Sequence, residues 1–178
     1  MKLGLEGRRA LVTGGSKGLG AAIARELVSE GARVAICSRH EEEVVAAGEE
    51  LGTAHAQAAD VTDPEQVRDF VARSAEALGG IDFLVNNAGG AHPGNFETLK
   101  DEDWAADYDV KVFSLIRCSR EVLPHMRSAG GGRIVNIGAV YSRYPDPAFF
   151  ATSVNRAAGN SFTKTLALEV AKDNILVN

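Results

Sequence analysis

The sequence predicts an α/β fold, a doubly wound parallel sheet with helices on both faces. Three observations predict it: short apolar runs alternate with longer helical stretches, the loops between them are short, and a glycine loop follows the first run. Right-handed crossovers between such strands place a ligand crevice at their carboxyl ends. With 178 residues the chain can bury a substantial core for one domain and is too short to suggest two.

Each element follows from its local pattern. RRALVT at 8–13 is a compact strand-forming run, and AAIARELVSEG after the glycine loop is a helical pattern closed by Gly31. ARVAIC at 32–37 is the second strand and EEEVVAAGEEL at 41–51 the second helix. AHAQAAD at 54–60 is a weaker strand. Asp63 as N-cap and Pro64 in the first turn then open a helix that runs to about Leu78. IDFLVNN at 81–87 is the fourth strand, and a long helical region spans 101–127. Glycines 130–132 break it before the fifth strand, RIVNIG. FFATSVNRAAGNSFTKTLALE at 149–169 supplies the last helix, and ILVN starts a further strand. That strand would lie at a sheet edge with no helix after it, leaving backbone groups and apolar surface uncovered. The expectation is therefore a domain cut short at its C-terminal end, without its last strands and substrate lid.

Composition removes several classes. Hydrophobic residues make up 45% and charged residues 24%, an ordinary balance for a globular protein. A net charge of −5 argues against binding nucleic acid or an anionic membrane through bulk electrostatics. No apolar run is long enough to span a bilayer, and MKLGLEGRRALVTGG has no signal-peptide core. Cys37 and Cys118 are too few and too far apart for a disulfide framework or a metal site, so no metal and a reducing, cytoplasmic setting are expected.

TGGSKGLG at 13–20 lies between the first strand and first helix, where a nucleotide-binding loop would have to be. Glycines there let the backbone approach a pyrophosphate, and the helix N-terminus offers unpaired N–H groups and a positive dipole end. No Lys-Ser/Thr pair follows the last glycine, so this is not a P-loop, and Gly14, Gly18 and Gly20 follow G-x-x-x-G-x-G rather than G-x-G-x-x-G. With DV at 60–61 and NNAG at 86–89 in the same order, the chain resembles the short-chain dehydrogenase/reductase family over nearly its whole length, LPHMR at 123–127 included.

The resemblance implies a Rossmann-like fold, one dinucleotide-binding domain over 1–178, and roles for matching residues. Gly14, Gly18 and Gly20 would wrap the pyrophosphate, with Ser16 and Leu19 lining the turn. Asp60 and Val61 would hold the adenine end. Asn87, Ala88 and Gly89 would floor the site near the adenosine ribose and stabilise the central sheet. The cofactor's identity follows from charge. The second strand ends AICSRH, with Arg39 and no acid until Glu41, whereas an NAD site uses an acid there for the ribose 2′-hydroxyl. A guanidinium can fork onto a 2′-phosphate, and Lys17 adds a second cation on that side, so NADP is expected in preference to NAD. Both are alternatively ordinary surface charges.

The family's catalytic Asn-Ser-Tyr-Lys tetrad is not preserved. The resemblance places Thr152 at the Tyr position and Arg156 at the Lys position, Gly138 and Ala139 at the Ser, and Lys111 at the Asn. Thr152 and Arg156 keep the i, i+4 spacing and so share a helical face. A threonine hydroxyl is a far weaker acid than a phenol and sits on a shorter side chain. Arg156 can grip ribose hydroxyls but cannot join a proton relay as lysine does. Tyr141, Tyr144, His92 and Lys111 are the other candidate proton donors. Each is alternatively a lid tyrosine, an exposed histidine or a snorkelling lysine. Phe149 and Phe150 could line an apolar substrate pocket, or plug the core or a subunit contact.

Three functions are weighed on these residues. The first is an NADP-dependent oxidoreductase that interconverts a carbonyl and an alcohol of a small molecule with an atypical donor. The second is a cofactor-binding pseudoenzyme acting as sensor or partner subunit, and the third a structural subunit with no ligand, which the glycine loop weighs against. The family resemblance also implies a homodimer or homotetramer.

Overall fold

The structure is a computed structural model that describes residues 3–178. Six strands form one parallel sheet: β1 (Arg9–Thr13), β2 (Arg33–Ser38), β3 (His55–Ala58), β4 (Phe83–Asn86), β5 (Gly132–Asn136) and β6 (Ile175–Val177). Their spatial order is β3-β2-β1-β4-β5-β6, so the chain reverses direction between β1 and β4. That switch point opens the crevice at the carboxyl ends where a doubly wound sheet receives its ligand.

Helices α1 (Gly18–Ser29) and α2 (Glu41–Leu51) cover one face of the sheet. Helix α3 (Pro64–Leu78), α5 (Ser114–Ser128) and α6 (Phe150–Val170) cover the other. β1 shows why both faces must be covered: Ala10 and Val12 pack towards α1 and α2, and Leu11 towards α3 and α5. The last of these layers holds Phe70, Leu84, Val122, Met126 and Ile134, each no more than 1% exposed. Over β5 and β6 no helix among the described residues covers the α1–α2 face, and Val135 and Leu176 stand 41% and 48% exposed there.

Local chemistry sets most boundaries. Asp63 caps α3 by accepting from the backbone N–H groups of Glu65 and Gln66, and Pro64 occupies the first turn. The expected helical region at 101–127 is interrupted. It runs as α4 (Asp101–Tyr108), a π-helical turn (Asp109–Phe113) and then α5. A π turn widens the helix by one residue, and such insertions concentrate at functional sites. Here the turn carries Lys111.

Candidate active site

The crevice is a cavity of about 740 Å³ lined by the glycine loop, the ends of β2 and β4, and α4 with its π turn. Gly14, Ser16, Lys17, Gly18, Leu19 and Gly20 form one wall, and Arg39, Asp60, Val61, Asn87, Ala88 and Gly89 also line it. Apart from Arg156, which does not line the cavity, the residues expected to hold a dinucleotide are therefore brought together on one surface.

Local structure explains how. Gly14 and Gly18 turn the loop with φ of +65° and +57°, a region that favours glycine. The loop delivers α1 into the cavity with no side-chain cap on its N-terminus, unlike α3 with its Asp63. The first N–H groups of α1 are thus open to an anion. Asn87 fastens the opposite wall. Its Nδ2 donates to the Thr13 and Gly14 carbonyls at 3.0 and 3.1 Å, and its backbone N–H donates to Thr13 Oγ1 at 3.0 Å. Asp60 uses one carboxylate oxygen to accept from the Thr62 backbone and hydroxyl. Its other oxygen accepts no hydrogen bond from the described residues. Lys17 Nζ donates to Glu43 at 3.0 Å, and that contact holds the Glu43 carboxyl below its usual range.

Buried polar atoms test the fit to a dinucleotide. Among the described residues Ser38 Oγ, at the end of β2 on the cavity wall, and Arg156 Nε, outside the cavity lining, are buried without a protein partner, as are the Ser74 and Ser119 hydroxyls away from the cavity. Buried polar atoms of this kind call for a partner. An unpartnered hydroxyl on the cavity wall, close to an uncapped helix N-terminus, suits a polar anion.

The candidate catalytic residues separate into two groups. Lys111 lines the cavity and meets Thr152 behind it, and the Arg156 guanidinium lies beside Gly89; Thr152 and Arg156 do not themselves line the cavity. Lys111 is 1% exposed, and its Nζ donates to Thr152 Oγ1 at 3.1 Å and to the Asp107 carboxylate. Burial pushes the Lys111 ammonium below its ordinary value, Asp107 draws it back up, and Arg156 lowers it further. Asn155 Nδ2 donates to the second Asp107 oxygen at 2.8 Å. Arg156 donates to the Ile137 carbonyl at 2.6 Å, and burial lowers its pKa. A Cβ on Gly89 would come within 2.9 Å of the Arg156 guanidinium, so this glycine leaves room for the arginine.

The tyrosines do not join them. Tyr144 is 74% exposed and Tyr141 stacks on Phe149 with ring centroids 5.0 Å apart. Neither is among the residues lining the cavity, because the 3₁₀ turn at Val140–Ser142 carries them to its outside. His92 lines the cavity, but its backbone meets Thr152 Oγ1 only at 3.4 Å and its ring lies 3.8 Å from Asp103. Phe150 packs between Phe96 and Trp104 in an aromatic cluster. Lys111 is not a solvated lysine at all.

Sequence reasoning missed Asp107, Asn155 and Ser38. Asp107 precedes Lys111 by four residues, the spacing of a helical ion pair, and that was the available signal. Asn155 lies three residues beyond Thr152 on α6 and could have been read as sharing its face. Nothing local marks Ser38, whose role depends on the end of β2 meeting the cavity.

A doubly wound sheet with a glycine loop at its switch point and an open helix N-terminus beneath is the architecture of a dinucleotide-binding protein. The chain belongs to the short chain dehydrogenase family, whose model matches residues 8–178. It is 37% identical over 179 residues to 2,3-dihydro-2,3-dihydroxybenzoate dehydrogenase of Bacillus subtilis, covering 98% of this chain and 69% of that one. Among solved structures it is similar to L-sorbose reductase from Gluconobacter frateurii complexed with NADPH and L-sorbose, at 36% identity and a TM-score of 0.95, covering 100% and 70% of the two chains. It is also similar to an NADPH-bound short chain oxidoreductase from Pseudomonas aeruginosa PAO1 containing an atypical catalytic center, at 36% identity, a TM-score of 0.91 and coverage of 95% and 68%. A 3-ketoacyl-(acyl-carrier-protein) reductase from Brucella melitensis, complexed with NADH, matches at 31% identity and a TM-score of 0.93, covering 97% and 74%. No helix among the described residues is long and apolar enough to cross a membrane.

Proposed function

We propose that this chain is an NADPH-preferring oxidoreductase that interconverts a carbonyl and an alcohol of a small molecule, with Lys111 acting through Thr152 in place of a phenol. The contact that carries the reading is the 3.1 Å hydrogen bond from Lys111 Nζ, a buried residue of the cavity wall, to Thr152 Oγ1.

When bound, the nicotinamide would supply or take up a hydride at the substrate carbon. The chain's own residues handle the proton. While charged, Lys111 Nζ can only donate, so Thr152 Oγ1 accepts from it and keeps its own proton free for another acceptor. The competing protein acceptor, the His92 carbonyl, is 3.4 Å away, well beyond the usual length of an O–H···O bond. A substrate oxygen at normal distance takes its place. Thr152 gives that oxygen a proton and receives one from Lys111, whose amine is recharged from water. Arg156 keeps a fixed positive charge where the family's lysine would hold the nicotinamide ribose.

The preference for NADPH rests on Lys17 and Arg39, both lining the outer end of the cavity. Lys17 is engaged by Glu43, but both side chains are exposed and solvent screens the pair, so a 2′-phosphate can compete for it. A homodimer or homotetramer in the cytoplasm belongs to the same reading; Phe113, Val154 and Leu168 stand 43%, 47% and 70% exposed on the long helices. Sedimentation showing only monomer would remove that part.

The test is reduction of a carbonyl panel by NADPH in the wild type, Lys111→Arg and Thr152→Ala. Lys111→Arg keeps the charge but cannot release the proton, so turnover should fall by about 10²–10⁴ while NADPH affinity holds. Full turnover in Lys111→Arg would refute the relay. Tight NADPH binding with no wild-type turnover on any carbonyl would instead favour the pseudoenzyme.

A further inference from the structure

Resting on that reading, we propose that Asp107 is the positioning residue of the site: braced by Asn155, it fixes Lys111 in its charged form against Thr152 and so poises the relay for reduction. The observation is the geometry of one buried carboxylate. Asp107 is 2% exposed and uses both oxygens, one on Lys111 from the next helical turn and one on Asn155 from α6. It thereby ties the π turn to the helix that carries Thr152 and Arg156.

The charge state of Lys111 decides which way a proton moves through Thr152. As an ammonium, Lys111 donates to Thr152 Oγ1 and the hydroxyl can protonate an alkoxide. As a neutral amine it accepts from Thr152, and the hydroxyl can only withdraw a proton from an alcohol. Burial favours the amine, and so does Arg156, the other charge facing Lys111 from α6. Thr152 and Asn155 from the same helix are neutral. From the 87–94 loop His92 presents only its backbone to Thr152, its ring lying towards Asp103, and Asp109 on the π turn is paired with Arg117 at 2.7 Å. Asp107 is therefore the carboxylate that opposes both lowering influences. In reduction, the substrate carbonyl carbon gains a hydride and its oxygen gains the Thr152 proton, with Lys111 passing from ammonium to amine; oxidation runs the same exchange backwards. The site acts as an acid below the Lys111 titration and as a base above it, and Asp107 places that crossover.

The experiment follows Lys111 directly by NMR of ¹³Cε-labelled lysine in the cofactor-free protein, alongside pH profiles of NADPH-dependent reduction and NADP-dependent oxidation. In Asp107→Asn the Lys111 titration should move to lower pH. Reductive turnover should fall about 100-fold in mildly alkaline buffer and by less in mildly acidic buffer, with the oxidative profile moving down alongside. Asp107→Glu should return the titration towards wild type. A Lys111 titration that stays in place in Asp107→Asn, or a loss of equal factor at every pH, overturns the proposal. Should Asp107→Asn not fold, Asn155→Ala supplies the test: loss of the brace should lower reductive kcat about threefold or more at unchanged NADPH affinity, and an unchanged kcat overturns it. Failure of the relay itself is read separately, from Lys111→Arg.

Discussion

Gly20→Ala tests the cofactor loop with a single methyl group. Gly20 sits in the first turn of α1, where alanine is favoured over glycine by about 1 kcal/mol. Space decides otherwise. A Cβ at this position would overlap the Gly14 carbonyl oxygen and come within 2.9 Å of its carbon and 2.5 Å of Asn87 Nδ2. These groups must retreat by about 1 Å to reach ordinary contact, and overpacking of this kind costs about 1–3 kcal/mol. The movement also loosens the Asn87 hydrogen bonds to Thr13 and Gly14, each worth about 1 kcal/mol. The net expectation is a loss of about 2 kcal/mol, or about 4–8 °C in Tm for a chain of this size. Because the displaced atoms line the cavity, NADPH affinity should weaken at least about tenfold, or about 1.4 kcal/mol. Gly159→Ala is the control. It lies within α6, and its new Cβ would meet only the flexible Leu115 Cδ1, at 3.3 Å, and a backbone oxygen at 3.9 Å. There the helix preference should prevail and Tm should hold or rise by a few degrees, about 0.5–1 kcal/mol. Thermal unfolding and nicotinamide fluorescence read both variants. Gly20→Ala with wild-type Tm and wild-type affinity would refute the argument from contact.

Two further outcomes follow from named charges. Arg9 clamps Asp82 with a 2.7 Å ion pair and holds its carboxyl below the usual range, so its contribution is complete above the unfolded carboxylate value and is lost as pH falls through the lowered one. Asp82→Asn should therefore cost about 1–3 kcal/mol at neutral pH and flatten the acid limb of a stability–pH curve; an unchanged limb would remove Asp82 from it. Arg39→Glu should weaken NADPH at least about tenfold and leave NADH near its wild-type affinity in parallel titrations, since only the former carries the 2′-phosphate; equal losses would show that Arg39 does not read that group.

Much of the fold was legible because its signals are local. Helix α2 coincides with the expected 41–51, and α3 opens on the foreseen Asp63 cap and Pro64. Strand ends differ by a residue or two, since strand length is settled by pairing partners that lie far away in sequence. The glycine loop, Asp60 and Asn87 could be placed because each follows a strand and must meet the switch point. The inner end of the site was harder. Lys111 could be aligned with a functional position, but its burial depends on a π turn that side-chain periodicity does not announce. Asp107 is one of four aspartate or glutamate residues on α4 with nothing local to set it apart but its spacing from Lys111, yet it is buried against a helix some fifty positions further along the chain. The two tyrosines illustrate the converse: their nearness to the site in sequence did not survive the 3₁₀ turn that carries them outward.

The extra residue in the π turn has a consequence for how this site tolerates change. Were Asp109–Phe113 to wind as ordinary α-helix with every residue kept, while α5 stayed anchored in the core through Cys118, Val122 and Met126, the bulge would no longer absorb the extra position. Everything upstream would swing by about 100° around the axis, the angle between neighbouring residues of an α-helix. Asp107 would leave Asn155, and Lys111 would be carried away from Thr152, although every side chain named in the relay was still present. Residue identity alone thus does not make this active centre; it also depends on a miscount in the helix that supports it.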